Sequence, residues 1–243
     1  MGRMFAFLYG VVSYLIFFIT FLYAIGFVGN FAVPKSIDMG IETSLPAALA
    51  INVTLLGLFA MQHNVMARPW FKKWWTRFVP HAIERSTFVL LASLLLLLLY
   101  WQWRPMPGVV WNVENTIGSS IFQALFWIGW LTVLHSTFMI NHFDLFGLRQ
   151  VFIQLRGQTY TPLVFKKSGL YKLVRHPLML GFIIAFWATP TMSYGHLLFA
   201  TVTTVWILIS IQLEERDLVR FHGKEYENYR KETSMLLPIP KKK

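Results

Sequence analysis

Apolar residues run through this chain in long, nearly unbroken stretches separated by short polar blocks. Strand alternation and the one-sided stripe of a surface helix are both missing, which is the pattern of membrane-spanning helices. A spanning helix needs about 20 mainly apolar residues. Four stretches meet that length or approach it: Phe5–Val28, Pro46–Met66, Thr87–Trp103 and Ser119–Phe146. A fifth region reads as a hairpin with arms Leu178–Thr191 and Gly195–Leu213, turning through Thr-Pro-Thr-Met-Ser-Tyr. Its first arm is short for a full crossing and is expected to be recessed or buried among the other helices. The apolar N-terminal run from Phe5 to Val33 exceeds a signal-peptide core of about 7–15 residues and is expected to be a retained first span. The predicted fold is an all-α polytopic integral membrane helical bundle of five to six transmembrane helices, with a C-terminal helical hairpin and tail. It forms one domain over 1–243, with four spans in 1–146 and the hairpin and tail in 147–243.

Composition agrees with lipid as the solvent. The 243 residues are 56% hydrophobic and 14% charged, against about 25% charged in soluble domains. Trp101, Trp103 and Trp111 flank one span end and Trp70, Trp74 and Trp75 another, where interfacial aromatic belts form. A net charge of +11 raises nucleic acid as a partner. The charges fall in short blocks between spans, so no nucleic-acid role is expected. The absence of cysteine excludes disulfides, thiolate metal sites and cysteine nucleophiles. No P-loop, dinucleotide-binding glycine pattern or His-Glu-x-x-His is present, and no metal site is expected.

Orientation follows from the basic residues. With six crossings and both termini on one side, that side holds 20 of the 22 Lys and Arg, leaving only Lys35 and Arg104 opposite. The positive-inside rule places that side in the cytoplasm. The runs Lys72-Lys73 and Lys166-Lys167 are expected to set topology and to touch anionic lipid heads, and Lys241–Lys243 to form a tail.

Two polar stretches carry candidate chemistry. In Leu170–Gly181, Pro177 suits a helix first turn, which puts Arg175 and His176 beside unpaired helix amides that favour anions. After the last span come Glu214 and Glu215, then Phe221-His222-Gly223 and Tyr226 and Tyr229. Intramembrane carboxylates are costly unless paired or hydrated. That cost, and the opposition of the helix dipole to acid near a C-terminus, both ease if the helix continues to Phe221 or His222 and stops at Gly223. The hairpin then brings Arg175, His176, Glu214, Glu215, Tyr226 and Tyr229 to one membrane face.

The combination of Arg175-His176-Pro177 with Gly181, a hairpin, Glu214-Glu215 and then Phe221, Gly223, Tyr226 and Tyr229 resembles the isoprenylcysteine carboxyl methyltransferase superfamily. Met179 stands where that pattern has Tyr, and His222 is inserted between Phe221 and Gly223. Gln62-His63-Asn64-Val65-Met66-Ala67-Arg68-Pro69 and Asn141-His142-Phe143-Asp144-Leu145-Phe146-Gly147-Leu148-Arg149-Gln150 further resemble the bacterial methanethiol S-methyltransferase branch and related denitrification-associated membrane proteins. The resemblance implies a bacterial inner-membrane protein with a cytoplasmic active site. Its methyl donor would be S-adenosylmethionine, and its acceptor a small thiol or another lipid-soluble molecule drawn from the membrane. Donor-binding candidates are Arg175, His176, Pro177, Gly181, Glu214, Glu215, Tyr226 and Tyr229. Arg175 and His176 would hold the donor carboxylate.

A thiol acceptor reacts as thiolate, so a base is needed. His142 and His63 are the candidates, with Asp144 able to pair with His142 only if the helix ends near Gly147. Three alternatives stay open: methylation of a phospholipid or prenylcysteine, haem binding through histidines on separate helices, and a non-catalytic membrane factor linked to denitrification. Nothing in the chain sets the oligomeric state.

Overall fold

The structure is a computed structural model that describes residues 2–163 and 167–239. Lys166 and Lys241–Lys243 of the expected basic runs lie outside these residues. The chain is mostly helical. Five of the described helices are long and apolar enough to cross a membrane: α1 (Gly2–Gly29), α2 (Leu45–Ala67), α4 (His81–Gln102), α5 (Thr116–Ile140) and α9 (Tyr194–His222). The protein is therefore an integral membrane protein. Shorter helices are α3 (Pro69–Trp75), α6 (His142–Leu145), α7 (Leu148–Leu155), α8 (Pro177–Trp187) and α10 (Lys224–Glu232), with a two-stranded ribbon β1 (Val109–Asn112) and β2 (Thr191–Ser193).

Two compact units divide the chain: Met1–Met106 with Asn141–Val164, and Pro107–Ile140 with Phe165–Lys243. In the first, α4 packs on α1 and α2, and α7 lies on α1 and α4. Its apolar centre is Met66, Phe88 and Val89, with Phe17, Phe71, Trp75 and Phe146 packed around them. Gly10 permits the close seat of α7, since a Cβ there would meet Val151 Cγ2 at 2.5 Å. Asn52, fully buried within α2, both donates to the Arg104 carbonyl at 2.8 Å and accepts from the Arg104 amide at 2.9 Å. A polar side chain at membrane depth is thus fully employed, as burial demands.

In the second unit α8 lies along α5 and packs on α9. Gly129 lies tight against Gly181 and Ala185. A Cβ on Gly181 would stand 2.8 Å from the Gly129 carbonyl oxygen and 2.8 Å from the Val133 amide nitrogen. Small residues at such a crossing let two backbones approach where lipid supplies no hydrophobic drive. At one end of this unit the antiparallel ribbon pairs Trp111 with Met192 and Asn112 with Thr191. At the other, Leu170 N–H donates to Met139 Sδ at 3.3 Å and the Ser168 hydroxyl to the Met139 carbonyl at 3.4 Å.

Those two ends explain the short hairpin arm. At about 1.5 Å per residue, the 11 residues of α8 span roughly half of a 30 Å hydrocarbon core. The path from Leu170 through α8 to Thr191 nevertheless joins the same two ends that α5 joins with its 25 residues. Extended and turned segments on either side of α8 complete the distance.

One sequence expectation is corrected. The run Ser119–Phe146 is not one helix, because α5 stops at Ile140. Asn141, with φ 156°, breaks the helix, and its side chain accepts from the Asp144 amide at 3.1 Å to cap α6. The expected continuation of the last span is observed: α9 runs to His222 and ends at Gly223, whose φ is +58°.

Candidate functional site

The two polar stretches singled out in the sequence meet in the second unit. Pro177 occupies the first turn of α8, and His176 is its N-cap. The preceding strand-like residues are held by the C-terminal tail. Val174 and Ser234 form a parallel bridge, the Arg175 amide donates to the Ser234 carbonyl at 2.8 Å, and the His176 amide donates to the Met235 carbonyl at 3.1 Å. Positioned in this way, Arg175 and His176 converge on a carboxylate of α9.

That carboxylate is Glu215, 2% exposed. Its Oε1 accepts from Arg175 Nε at 2.6 Å and lies 3.0 Å from His176 Nε2. Its Oε2 lies 3.1 Å from Arg230 Nε on α10. A buried charge is stable only when paired and hydrogen-bonded, and both oxygens of Glu215 satisfy that condition. Arg175 is equally committed, because its Nη1 donates to the carbonyls of Arg230 at 3.2 Å and Thr233 at 2.5 Å. Glu214, one position earlier on α9, points elsewhere: its side chain is 45% exposed, with Oε2 4.0 Å from His176 Nδ1.

Tyr226 and Tyr229 are buried beneath this cluster, their rings 5.7 Å apart and edge-to-face. The Tyr229 hydroxyl donates to the Tyr171 carbonyl at 2.5 Å. Burial pushes the Tyr229 phenol up to about 12 and raises Tyr226 and Tyr171 as well, so all three are neutral donors at physiological pH. Gly181, by contrast, stands at the contact with α5.

The remaining candidates belong to the first unit. His142 opens α6, is 5% exposed, and has Nε2 2.8 Å from the Tyr14 hydroxyl of α1. Phe143 and Phe146 rings pack edge-on to it. Burial lowers its pKa, which favours the neutral imidazole. Asp144 does not pair with His142. Its carboxylate accepts from Arg149 Nη1 at 2.8 Å and from the Tyr160 hydroxyl at 3.3 Å. The early end of α5 turns the two side chains to different partners. His63 lies between the Phe59 and Phe88 rings, with centroids at 5.5 and 5.1 Å. Its buried Nδ1 has no hydrogen-bond partner among the described residues.

Sequence reasoning missed Arg230 and Tyr14. An arginine among the charges of α10 reads as part of a solvated face, and a single tyrosine in an apolar span reads as packing. Only the fold links each to its partner.

No family model matches the chain, and no solved structure matches it. Among curated proteins, the chain is 58% identical over 240 residues to a methanethiol S-methyltransferase of Mycobacterium tuberculosis, covering 99% of this chain and 98% of that one. It is 54% identical over 243 residues to a methanethiol S-methyltransferase of Crocosphaera subtropica, covering 100% of this chain and 95% of that one. Nurim of Mus musculus is a more distant relative, 28% identical over 186 residues, covering 73% of this chain and 70% of that protein.

Proposed function

Because the chain belongs to the methanethiol S-methyltransferase family, we propose that it methylates methanethiol with S-adenosylmethionine, giving dimethyl sulfide and S-adenosylhomocysteine. Near-full-length kinship with proteins of that name carries the reading. The juncture of α8, α9 and α10 supports it with a compact set of charged and aromatic groups suited to a zwitterionic nucleoside.

The donor, when bound, supplies an electrophilic methyl carbon on a sulfonium whose C–S electron pair leaves with sulfur. The protein's own work is positioning, because in-line approach governs such a transfer. The Arg175–Glu215–His176 cluster forms a rigid base. Its groups already saturate one another, so they hold the surrounding elements in place. Glu214, half-exposed beside it, accepts from the donor's amino group or ribose hydroxyls. Tyr226 and Tyr229 form the wall beneath the nucleoside, and Pro177 and Gly181 fix the direction and seat of α8.

The thiol must lose a proton before its sulfur forms the new C–S bond. His142 and His63 are the acceptors for that proton. Each is set among aromatic rings, surroundings that suit a small apolar thiol. Asp144 serves instead to fasten Arg149 and Tyr160. A cytoplasmic placement of both termini and of the donor site, in a bacterial inner membrane, accords with the distribution of basic residues.

The test is direct. Purified protein is incubated with methyl-labelled S-adenosylmethionine and methanethiol, and headspace gas is analysed for labelled dimethyl sulfide. Label appearing only in lipid, or not at all, overturns the proposal.

A further inference from the structure

Three spans of the first unit end side by side: α1 at Gly29, α2 at its start at Leu45 and α4 at Gln102. The chain is pinned there from several directions. Asn52 of α2 holds both the amide and the carbonyl of Arg104, the Tyr23 hydroxyl of α1 donates to the Lys35 carbonyl at 2.9 Å, and Trp103 Nε1 donates to the Ile37 carbonyl at 3.0 Å. Lys35 and Arg104, the two basic residues left out of the basic face, are thereby brought together. The Lys35 ammonium donates to the Trp101 carbonyl, three residues before Arg104. A Cβ on Gly40 would lie 3.4 Å from Lys35 Nζ and 3.5 Å from Pro105 Cδ, so the ammonium is also close to the residue after Arg104.

Two like charges held this close disfavour one another and call for an anion. Among the described residues, neither Lys35 nor Arg104 forms an ion pair with a carboxylate. Asp38, the acid nearest to Lys35 in the sequence, accepts from Asn30 Nδ2 at 2.7 Å. Of the Arg104 guanidinium, Nη2 donates to the neutral Gln102 Oε1 at 3.2 Å, and Nε is buried without a hydrogen-bond partner. Partial burial first, and the Arg104 charge second, hold the Lys35 amine below its usual range, as expected where no anion offsets the pair. Met39, Ile41, Leu45 and Trp101 are exposed apolar residues of the same region.

We propose that Lys35 and Arg104 form a binding site for the phosphodiester of an anionic membrane lipid whose head carries no cation of its own, as in phosphatidylglycerol. The phosphate supplies the missing charge and the acceptor oxygens for an ammonium and a guanidinium. A headgroup ammonium would be repelled by the same pair, which sets this lipid apart from a zwitterionic one. The exposed apolar residues suit acyl carbons and favour a lipid over a water-borne ion. A role confined to offsetting the dipole at the end of α4 would be the same in every lipid. Nothing in the site depends on the donor reading above.

The experiment follows acylation of each lysine by an amine-reactive ester, read by peptide mass spectrometry, on the full chain in nanodiscs of phosphatidylglycerol or of phosphatidylcholine. Exposed Lys73 reports the general surface potential of the bilayer and normalises the rates. Lys35 is expected to react roughly 10-fold more slowly in phosphatidylglycerol, the scale of a charge-assisted hydrogen bond. Arg104→Gln should cut that ratio to within about twofold, and Arg104→Lys should keep part of it, since the charge remains without the planar fork. Inorganic phosphate added to the phosphatidylcholine discs should protect Lys35 little. Equal normalised rates in the two lipids, or an undiminished ratio in Arg104→Gln, overturns the site. Protection by inorganic phosphate equal to that by the lipid overturns the lipid as its occupant. The comparison of lipids on the unaltered protein decides the matter even where Arg104→Gln does not fold.

Discussion

Adjacent carboxylates on one helix provide the sharpest test of how this site is built. Glu215 and Glu214 differ by one position on α9, about 100° around the helix, and the fold gives them opposite circumstances. The Glu215 side chain is 3% exposed and bound to Arg175, whose side chain is 6% exposed. Glu215→Gln keeps the shape but removes the charge, leaving the Arg175 guanidinium buried without its counter-ion. Breaking a buried pair in this way costs about 3–5 kcal/mol, and retained amide hydrogen bonds favour the lower figure, near 3. The Arg230 contact adds little, because that side chain is 44% exposed and screened by water. For a chain of this length, each kcal/mol lowers Tm by about 2–4 °C, so Glu215→Gln should melt about 6–12 °C early. Glu214 is 45% exposed and 4.0 Å from His176 Nδ1. Its exposed pairing is worth at most about 1 kcal/mol, so Glu214→Gln should stay within about 4 °C. The same variant should bind S-adenosylhomocysteine about 10-fold more weakly. Thermal unfolding monitored by monodispersity in detergent, beside calorimetry, reads both quantities. A Glu215→Gln protein that melts with the unaltered one, or a Glu214→Gln protein that melts earlier than Glu215→Gln, refutes the reasoning.

Other outcomes follow from the same structure. Gly181→Ala pushes a methyl into the backbone of α5, an overpacking that costs about 1–3 kcal/mol and should appear as a lower Tm with donor affinity per folded molecule retained. Burial lowers the pKa of His142, so below its unfolded value of about 6.5 the unfolded chain takes up a proton that the native state refuses. Thermal stability should therefore fall as pH drops from about 6.5 toward the native pKa, and His142→Gln should flatten that fall; an unaltered slope refutes burial as the cause. Asp144→Asn should release Tyr160, raising hydrogen exchange across residues 157–163 while sparing α1. A reporter fused after Lys243 should read cytoplasmic, and a periplasmic signal breaks the proposed orientation.

Much of the fold was legible because membrane helices declare themselves by length and apolarity, signals that need no tertiary information. The end of α9 at Gly223 was legible too, since a helix stop favouring positive φ is a local property. What escaped depends on contacts between distant residues or on very short elements. Asn141 carries a cap signal, but the apolar residues beyond it conceal a break that lies in one backbone angle. The ribbon strands are four and three residues long, too short to show alternation. The meeting of Arg175, His176 and Glu215 could be expected from the hairpin. That Glu215 and not Glu214 is the buried partner depends on helix phase, and the part played by Arg230 depends on how α10 folds back.

That fold-back has a bearing on biogenesis. The segment that enters α8 is clasped by the Ser234 and Met235 carbonyls, and Arg175 is held by those of Arg230 and Thr233. Every one of these groups is translated after all the long helices. A nascent chain can thus place its hydrophobic segments in the bilayer and still keep Glu215 and Arg175 hydrated at the surface. The polar knot is tied only after residues 230–235 have been made, so chains cut before Arg230 would place their long helices and yet lack the clasp on Arg175 and His176.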